Sequence, residues 1–158
     1  KDGGCGPHQR PQGPTTMSQV YFEEVEPGDE LPSLVREPTR EQLDAFTKVW
    51  GSTIGRFTND EVARSEGFSG VILPGNMTMS FLAQFLTEWA GTDGKLKRLD
   101  VDFRRSVQPG DHLTCAGIIT DTETEDEENR VILDVYIETQ KGERALQGTA
   151  LVLLPSKP

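Results

Sequence analysis

The chain has few cysteines, a shortage of basic residues and no long apolar run, and each shortage excludes a class of protein. Its two cysteines, Cys5 and Cys115, are too few and too far apart for a disulfide framework or a zinc site. Sixteen basic residues face 26 acidic ones, and because they form no basic cluster we expect no binding to nucleic acid. No apolar stretch is long enough to span a bilayer, so we expect no membrane segment.

The first 16 residues are rich in glycine and proline and show no apolar period. Such a segment cannot repay the entropy of ordering, so we interpret 1–16 as a disordered leader or a cloning remnant and 17–158 as a single folded domain. We expect Cys5 and His8 to have no role, because mobile residues cannot preorganise a site. No charged segment followed by an apolar one opens the chain, which favours a cytoplasmic protein.

Residues 70–91 contain the longest strongly apolar helical pattern. Its large side chains recur at helical spacing, at Met77, Phe81, Leu82, Phe85, Leu86 and Trp89. Asn76 is predicted as the N-cap, and Gly91 as a left-handed residue that ends the helix. We therefore predict a buried helix around which the rest of the domain is wrapped.

The remaining patterns predict short strands at 20–25 and 31–35, helices at 39–50 and 58–65 with an irregular loop at 51–57, and strands at 96–103, 113–120, 130–138 and 144–154. Thr39 and Gln42 form a capping box that opens the first helix, and Thr58 and Glu61 form a second box. The acidic segment 121–129 is interpreted as a solvated hairpin tip, since adjacent carboxylates on such a tip are usually hydrated.

This order of elements predicts an α+β protein with the hot-dog fold, in which a curved antiparallel sheet covers one long helix. The edges of such a sheet commonly pair with a second copy, so we expect a dimer. The chain contains no glycine-rich phosphate loop and no metal-ligand spacing, and we expect neither a cofactor nor a metal.

Three regions carry a family resemblance. Leu-Asp-Val-Asp-Phe at 99–103, followed by Val-Gln-Pro-Gly-Asp at 107–111, resembles a strand and turn of the MaoC-like dehydratases, which are also called R-specific enoyl-CoA hydratases. Val-Ile-Leu-Pro-Gly at 71–75 resembles the segment that leads into their central helix, and 51–63 occupies the position of their hydratase motif. The resemblance extends over 20–154 and implies a hot-dog protein that acts on acyl thioesters.

The hydratase motif itself is degenerate in this chain. In the family an Asp and a His of the motif activate the water that adds to, or leaves from, the β-carbon of the acyl group. In an alignment without gaps, Ser52 replaces the Asp and Phe57 replaces the His. Neither residue can act as a base near neutral pH, and the loss of general acid–base catalysis typically costs ~10²–10⁴-fold in rate.

Several residues near this motif and at the helix start are candidates for substrate binding. The Gly75 amide, next to Asn76 at the amino end of the helix, could donate to a thioester carbonyl, although Gly75 could equally serve only to permit the turn. Arg56 could pair with a phosphate of CoA or be merely solvated. Ser52 and Thr53 could hold a water molecule or bond a substrate hydroxyl.

Two carboxylates, Asp60 and Glu61, lie close to the vacant motif position and are candidates for a displaced base. The alternative is that they are acidic residues of the first turn of a helix, where acids are favoured. His112, the one histidine of the folded part, is expected to be structural or exposed.

Three functions therefore remain open. The leading hypothesis is a non-catalytic subunit that binds acyl-CoA or an acyl-carrier thioester and partners a catalytic MaoC-like chain, in lipid or steroid metabolism. The second is a self-sufficient enoyl-CoA hydratase, 3-hydroxyacyl dehydratase or thioesterase that uses Asp60 or Glu61. The third is a homodimer whose pocket binds nothing.

Overall fold

The computed structural model describes residues 18–158, so the predictions for 1–16, with Cys5 and His8, lie outside the described residues. A short 3-10 helix, Phe22–Glu24, comes first. The other elements, in chain order, are β1 (Leu34–Arg36), α1 (Arg40–Trp50), α2 (Gly55–Thr58), α3 (Asp60–Ser65), α4 (Gly75–Ala90), β2 (Lys95–Phe103), β3 (Leu113–Glu125), β4 (Glu128–Glu138) and β5 (Arg144–Leu153).

The five strands form one antiparallel sheet in the order β1-β3-β4-β5-β2. Strands β3, β4 and β5 are joined as consecutive hairpins. Strand β2 precedes them in the chain, pairs with the outer side of β5 and so forms one edge of the sheet. Helix α4 contacts four of the strands. This architecture confirms the predicted α+β class and the hot-dog arrangement of a central helix on an antiparallel sheet.

The core lies between α4 and the sheet, as the apolar pattern of residues 70–91 predicts. The helix buries Leu82 and Leu86 completely, while alternate residues of the strands, such as Leu133 and Leu146, bury their side chains against it. Cys115 belongs to the same buried row of β3, and burial raises the pKa of its thiol to about 12. At that pKa the thiol stays protonated near neutral pH and is a poor nucleophile.

The capping box of α1 is confirmed. The Thr39 hydroxyl accepts from the Gln42 amide at 3.1 Å, the Gln42 side chain accepts from the Thr39 amide at 2.9 Å, and Gly51 ends the helix with a φ of 73°. The predicted second box is wrong in its cap. Asn59, rather than Thr58, caps α3, because its side chain accepts from the amides of the first turn.

Several predicted boundaries also differ from the structure. The segment 20–25 is not a strand but contains the 3-10 helix, and the second strand, predicted at 31–35, is β1 (Leu34–Arg36). The loop at 51–57 is not wholly irregular, because α2 begins within it. The acidic segment 121–129 is mostly paired strand, and its turn is limited to Asp126 and Glu127, whose φ values are 52° and 64°. Cross-strand pairing thus overrides the local polarity of this segment.

Candidate functional site

The loop at 71–74, which leads into α4, is bonded to three other parts of the chain. The Val71 amide donates to Asp60 Oδ1 at 2.9 Å, the Ile72 amide to the Arg56 carbonyl at 3.1 Å, and the Leu73 amide to the Val107 carbonyl at 2.7 Å. All three donor residues are buried, with at most 7% of their surface exposed. These bonds fix the position at which α4 begins.

Helix α4 begins at Gly75, and Pro74, which offers no side-chain acceptor, is its N-cap. The prediction that Asn76 is the cap is therefore wrong: Asn76 is the second helical residue, and its Oδ1 accepts from the Met77 amide at 3.0 Å. The reason is that the Pro74 carbonyl already accepts from the Met77 and Thr78 amides, which starts the helical turn one residue earlier. The Gly75 amide consequently lies at the positive end of the helix dipole.

A cleft of about 310 Å³ opens beside this helix start. Gly75 and Thr78 of α4 line it. An apolar wall is formed by Phe57, Ile72, Leu73, Phe103 and Val107, and three cations complete the lining, Arg56, Arg104 and Arg105. A Cβ atom at Gly75 would lie only 2.9 Å from Cε1 of Phe103. A glycine at this position therefore lets the Phe103 ring lie directly against the helix start.

Phe57, which the resemblance aligns with the family's histidine, contributes an aromatic ring to the cleft. Its ring centroid lies 6.3 Å from that of Trp50, and the Trp50 centroid lies 6.1 Å from that of Phe46. Such tilted pairs are favourable packing arrangements for aromatic rings. The wall of the cleft at this point is thus apolar and cannot carry a proton.

The other residues predicted to bind substrate do not line the cleft. Ser52 follows the end of α1, and its Oγ accepts from the Ile54 amide at 3.3 Å. Within residues 18–158, the lining of this cleft does not include Ser52, Thr53 or Asn76. Contact between these three residues and a substrate therefore stays a prediction.

Asp60 bonds to two elements through its two carboxylate oxygens. Oδ1 accepts from the buried Val71 amide at 2.9 Å, and Oδ2 accepts from Arg40 Nη1 of α1 at 2.9 Å. The Val71 amide, and next the Arg40 guanidinium, lower the pKa of this carboxyl below its usual value. Asp60 faces a separate depression of about 240 Å³, which it shares with Arg40 and Gln108. A carboxylate of lowered pKa with two donors is a weak base.

Glu61 follows Asp60 in the first turn of α3 and is exposed to solvent. Its backbone amide donates to Asn59 Oδ1 at 2.8 Å, as part of the helix cap. Its position agrees with the helix-capping interpretation, since a negative side chain in the first turn complements the helix dipole.

Each cation of the cleft lies near a carboxylate, at a different distance. Arg56 pairs with Glu66 at 2.9 Å, whereas Arg104 lies 3.4 Å from Asp102 and Arg105 lies 4.0 Å from Glu143. Arg105 also lines a neighbouring polar cavity of about 390 Å³, which adjoins the cleft and contains Lys141. Three arginines thus line the cleft, each within 4.0 Å of a carboxylate, in a chain whose net charge is −10.

Sequence reasoning identified Arg56, Phe57 and Gly75 of this cleft but missed Phe103, Arg104 and Arg105. The signal that could have found them is the pair of adjacent arginines directly after a strand, in a strongly acidic chain. The strand ends beside the start of α4 only in the folded sheet, so their meeting with Gly75 is a tertiary contact.

His112 is exposed, as expected, and lies away from the cleft. Its Nδ1 is 2.5 Å from Glu37 Oε1, and its amide donates to the Gln140 side chain at 3.0 Å. The described part of the chain contains no cluster of three or more histidine, cysteine or acidic residues arranged to hold a metal ion. None of its helices is long and apolar enough to cross a membrane.

A central helix on a five-stranded antiparallel sheet, with a cleft at the amino end of the helix, defines a hot-dog protein. The family model described as the MaoC like domain matches residues 56–141. The chain belongs to the MaoC-like dehydratase family. No curated protein matches it at the level of sequence.

Solved structures support the same fold. An R-hydratase from Pseudomonas aeruginosa in the unliganded form has 19% identity and a TM-score of 0.77, with 88% of each chain covered. An (R)-hydratase from A. caviae involved in PHA biosynthesis has 22% identity and a TM-score of 0.74, with coverage of 84% of this chain and 99% of that one. The ChsH1–ChsH2 complex from Mycobacterium tuberculosis matches with 14% identity, a TM-score of 0.73, and coverage of 82% and 98%. At these identities the likeness shows the fold.

Proposed function

We propose that this protein binds an acyl thioester, carried by CoA or by an acyl carrier, in the cleft beside Gly75, and that it does not hydrate the acyl group itself. The observation that carries the proposal is the Phe57 ring on the wall of the cleft, because the family resemblance aligns Phe57 with the catalytic histidine of the hydratases. In this proposal the helix start at Gly75 and the apolar wall bind the thioester, and the wall at Phe57 offers no side chain that can transfer a proton.

The helix start supplies the polar part of binding. A carbonyl oxygen near the Gly75 amide would receive a hydrogen bond and lie in the favourable field of the α4 dipole. The apolar wall formed by Phe57, Leu73 and Phe103 suits an acyl chain. The neighbouring arginines, Arg104 and Arg105, suit the phosphates of a thioester carrier.

Catalysis would then come from a second MaoC-like chain with an intact Asp/His pair. The likeness to a complex of two chains, ChsH1–ChsH2, supports this role for a partner, since it shows that the fold occurs in heteromeric assemblies. This chain would contribute binding surface to the shared assembly.

The alternative, a self-sufficient hydratase or thioesterase that uses Asp60 or Glu61, has less support. Asp60 bonds to the Val71 amide and to Arg40, faces a separate depression, and has a lowered pKa. We propose that Asp60 positions the loop before α4, and that Glu61 complements the α3 dipole.

The first test measures binding and turnover separately on the purified chain. We expect calorimetry with 2-enoyl-CoA thioesters of several chain lengths to detect binding, while a spectrophotometric hydration assay detects no turnover at enzymatic rates. Hydration by the chain alone would overturn the non-catalytic role. An absence of binding to every CoA and carrier-protein thioester would overturn the cleft assignment.

The second test alters the cleft itself. Gly75→Ala adds a methyl group beside the donor amide and against Phe103, so thioester binding should weaken. The double variant Gly75→Ala with Phe103→Ala is the control for stability only, since Phe103 belongs to the binding wall; the methyl group has room in it, and the chain should melt close to the wild-type temperature. If binding is unchanged in Gly75→Ala, the thioester does not use this helix start.

A further inference from the structure

Two polar side chains are buried among the described residues, and one of them lies in the cleft. They are Thr47 of α1 and Thr78 of α4, which expose 3% and 4% of their surface. Thr78 lines the cleft one helical turn after Gly75, whereas Thr47 is not part of the lining. Burying a hydroxyl is costly unless it is hydrogen-bonded, so each of the two should have a good partner.

The Thr47 hydroxyl has a close partner, and the Thr78 hydroxyl has only a distant one. Thr47 Oγ1 donates to a carbonyl of its own helix at 3.0 Å. Thr78 Oγ1 lies 3.4 Å from the Pro74 carbonyl oxygen, beyond the range of about 2.5–3.0 Å that is usual for O–H···O bonds. Two other hydroxyls of α4, those of Ser80 and Thr87, donate to carbonyls of the helix at 2.6 Å. The long contact is therefore particular to Thr78.

The Pro74 carbonyl is also fully used by other donors. It accepts from the Met77 amide and from the Thr78 amide, each at 3.1 Å. A carbonyl oxygen has two lone pairs, so the Thr78 hydroxyl is a third donor to an oxygen that already has two. Within residues 18–158, no hydrogen bond is donated to this hydroxyl. The cleft thus contains a buried group that can both donate and accept and that makes one weak bond.

The Gly75 amide and the Thr78 hydroxyl flank one peptide unit, the bond between Pro74 and Gly75. The N–H and the carbonyl of a trans peptide point in opposite directions, and the hydroxyl lies on the carbonyl side. A ligand atom bonded to the Gly75 amide is therefore out of reach of the Thr78 hydroxyl. A ligand that satisfies both groups presents two polar atoms, separated by roughly one helical turn of about 5 Å.

We propose that Thr78 is a specificity residue of the cleft, and that its hydroxyl bonds to an oxygen on the third carbon of the acyl group. The inference rests on the proposed thioester site, in which the thioester carbonyl lies at the Gly75 amide. An oxygen on the third carbon is three single bonds from the carbonyl carbon, and at about 1.5 Å a bond it spans the gap to Thr78. A hydroxyl there bonds to Thr78 in either direction, whereas a keto oxygen can only accept.

The acyl side of the thioester, rather than its carrier side, reaches Thr78. The carrier continues from the sulfur towards solvent, and the exposed residues Arg104 and Arg105 mark that side of the cleft. Thr78 is buried, as are Leu73 and Val107 of the same lining. The deep end of the cleft therefore takes the acyl group, and the Thr78 hydroxyl is the polar group that meets it there.

Thr78→Val tests the assignment, since valine has nearly the shape of threonine and lacks the hydroxyl. Calorimetry compares 3-hydroxyhexanoyl-CoA with hexanoyl-CoA, which lacks the oxygen. We expect the wild type to bind the hydroxylated thioester about tenfold more tightly, and Thr78→Val to lose this preference. Thr78→Ser keeps a hydroxyl and should keep the preference, and 3-oxohexanoyl-CoA should bind the wild type with intermediate affinity. Thr87→Val is the matched control, because Thr87 lies on the exposed side of α4, and it should behave like the wild type.

The melting temperature of the empty chain gives a second measurement, which needs no ligand. Because the Thr78 hydroxyl makes only a long contact, Thr78→Val should melt at the wild-type temperature or above it. Thr47→Val removes an equally buried hydroxyl that is bonded at 3.0 Å, so it should melt at a lower temperature than the wild type. The comparison separates a hydroxyl that awaits a ligand from one that holds the fold.

Equal binding of the hydroxylated and the saturated thioester by the wild type would overturn the inference and leave the proposed thioester site intact. A preference that survives in Thr78→Val would also overturn it, because another group would then recognise the oxygen. So would a Thr78→Val chain that melts as low as Thr47→Val, since the hydroxyl would then be structural. If the wild type binds none of these thioesters, nor their carrier-protein counterparts, the proposed function itself fails and the inference fails with it.

Discussion

Replacing Gly148 with alanine should destabilise this protein more than most single substitutions, because the backbone of β2 leaves no room for a side chain at Gly148 of β5. Gly148 lies opposite Val101 in the β2–β5 ladder. A Cβ atom there would lie 1.9 Å from the Asp100 carbonyl oxygen and 2.8 Å from Val101 Cα, both of which are backbone atoms. Since no rotamer change can relieve these contacts, β2 must move away from β5.

The size of the effect follows from this geometry. A separation of 3.0 Å from the carbonyl oxygen requires a shift of roughly 1 Å (3.0 − 1.9), which is enough to break the nearest N–H···O bonds of the ladder. Two lost hydrogen bonds cost about 1–3 kcal/mol, and overpacking adds about 1–3 kcal/mol. We expect a loss of about 2–6 kcal/mol in the free energy of unfolding, or about 4–24 °C in melting temperature for a chain of this length.

Urea unfolding and calorimetric melting measure this loss, with Gly117→Ala as the matched control. Gly117 lies in the neighbouring part of the same sheet, but a Cβ atom there would lie 3.3 Å from a Val135 side-chain atom and 3.4 Å from a carbonyl oxygen. Small adjustments can accommodate it, so the control should lose less than half as much stability. A Gly148→Ala variant within 1 kcal/mol of the wild type would refute the close approach of β5 and β2.

Three other predictions test the candidate site. Asp60→Asn should leave thioester binding unchanged but lower the melting temperature at neutral pH. Because the pKa of Asp60 is lowered in the folded chain, the ionised carboxylate stabilises the fold above pH 4, and this stabilisation is lost as the pH falls further. The difference in melting temperature between variant and wild type should therefore close in acid. Ser52→Asp combined with Phe57→His should raise hydration of a bound enoyl thioester by up to ~10²–10⁴-fold over the parent in the spectrophotometric assay, and an unchanged rate in a folded, thioester-binding variant would contradict the motif alignment. Cys115 should resist thiol reagents at pH 8 in the native chain and react after unfolding in urea, since burial raises its pKa to about 12; rapid labelling without denaturant would contradict its burial.

Local patterns were sufficient to predict the central helix and most of the sheet. The apolar stripe of α4 and the alternation of apolar and polar residues in β3 to β5 reflect which side of each element meets the core, and the spacing of apolar residues in the sequence reveals that side. The boundaries were less predictable where a tertiary partner decides them. The strand predicted at 20–25 has apolar residues at a suitable spacing, but the Phe22 amide bonds to the carbonyl of Pro155, near the other end of the chain.

The candidate site was predictable in part, for the same reason. Gly75 could be identified because it stands at a helix start, and Phe57 because the resemblance aligns it with a motif residue of the family. Arg104 and Arg105 follow a strand whose end meets α4 only after the sheet has formed. The role of Asp60 could not be read from its sequence neighbours, since its partners Arg40 and Val71 lie 20 and 11 residues away.

The bonds that hold the loop at 71–74 give the segment 51–63 a role in the fold. The Arg56 carbonyl and the Asp60 side chain, both in that segment, hold the loop that starts the central helix. The segment therefore stabilises the start of the central helix, a role that is separate from catalysis. A requirement for stability alone would therefore preserve the length and the helices of this segment, whichever side chains occupy its motif positions.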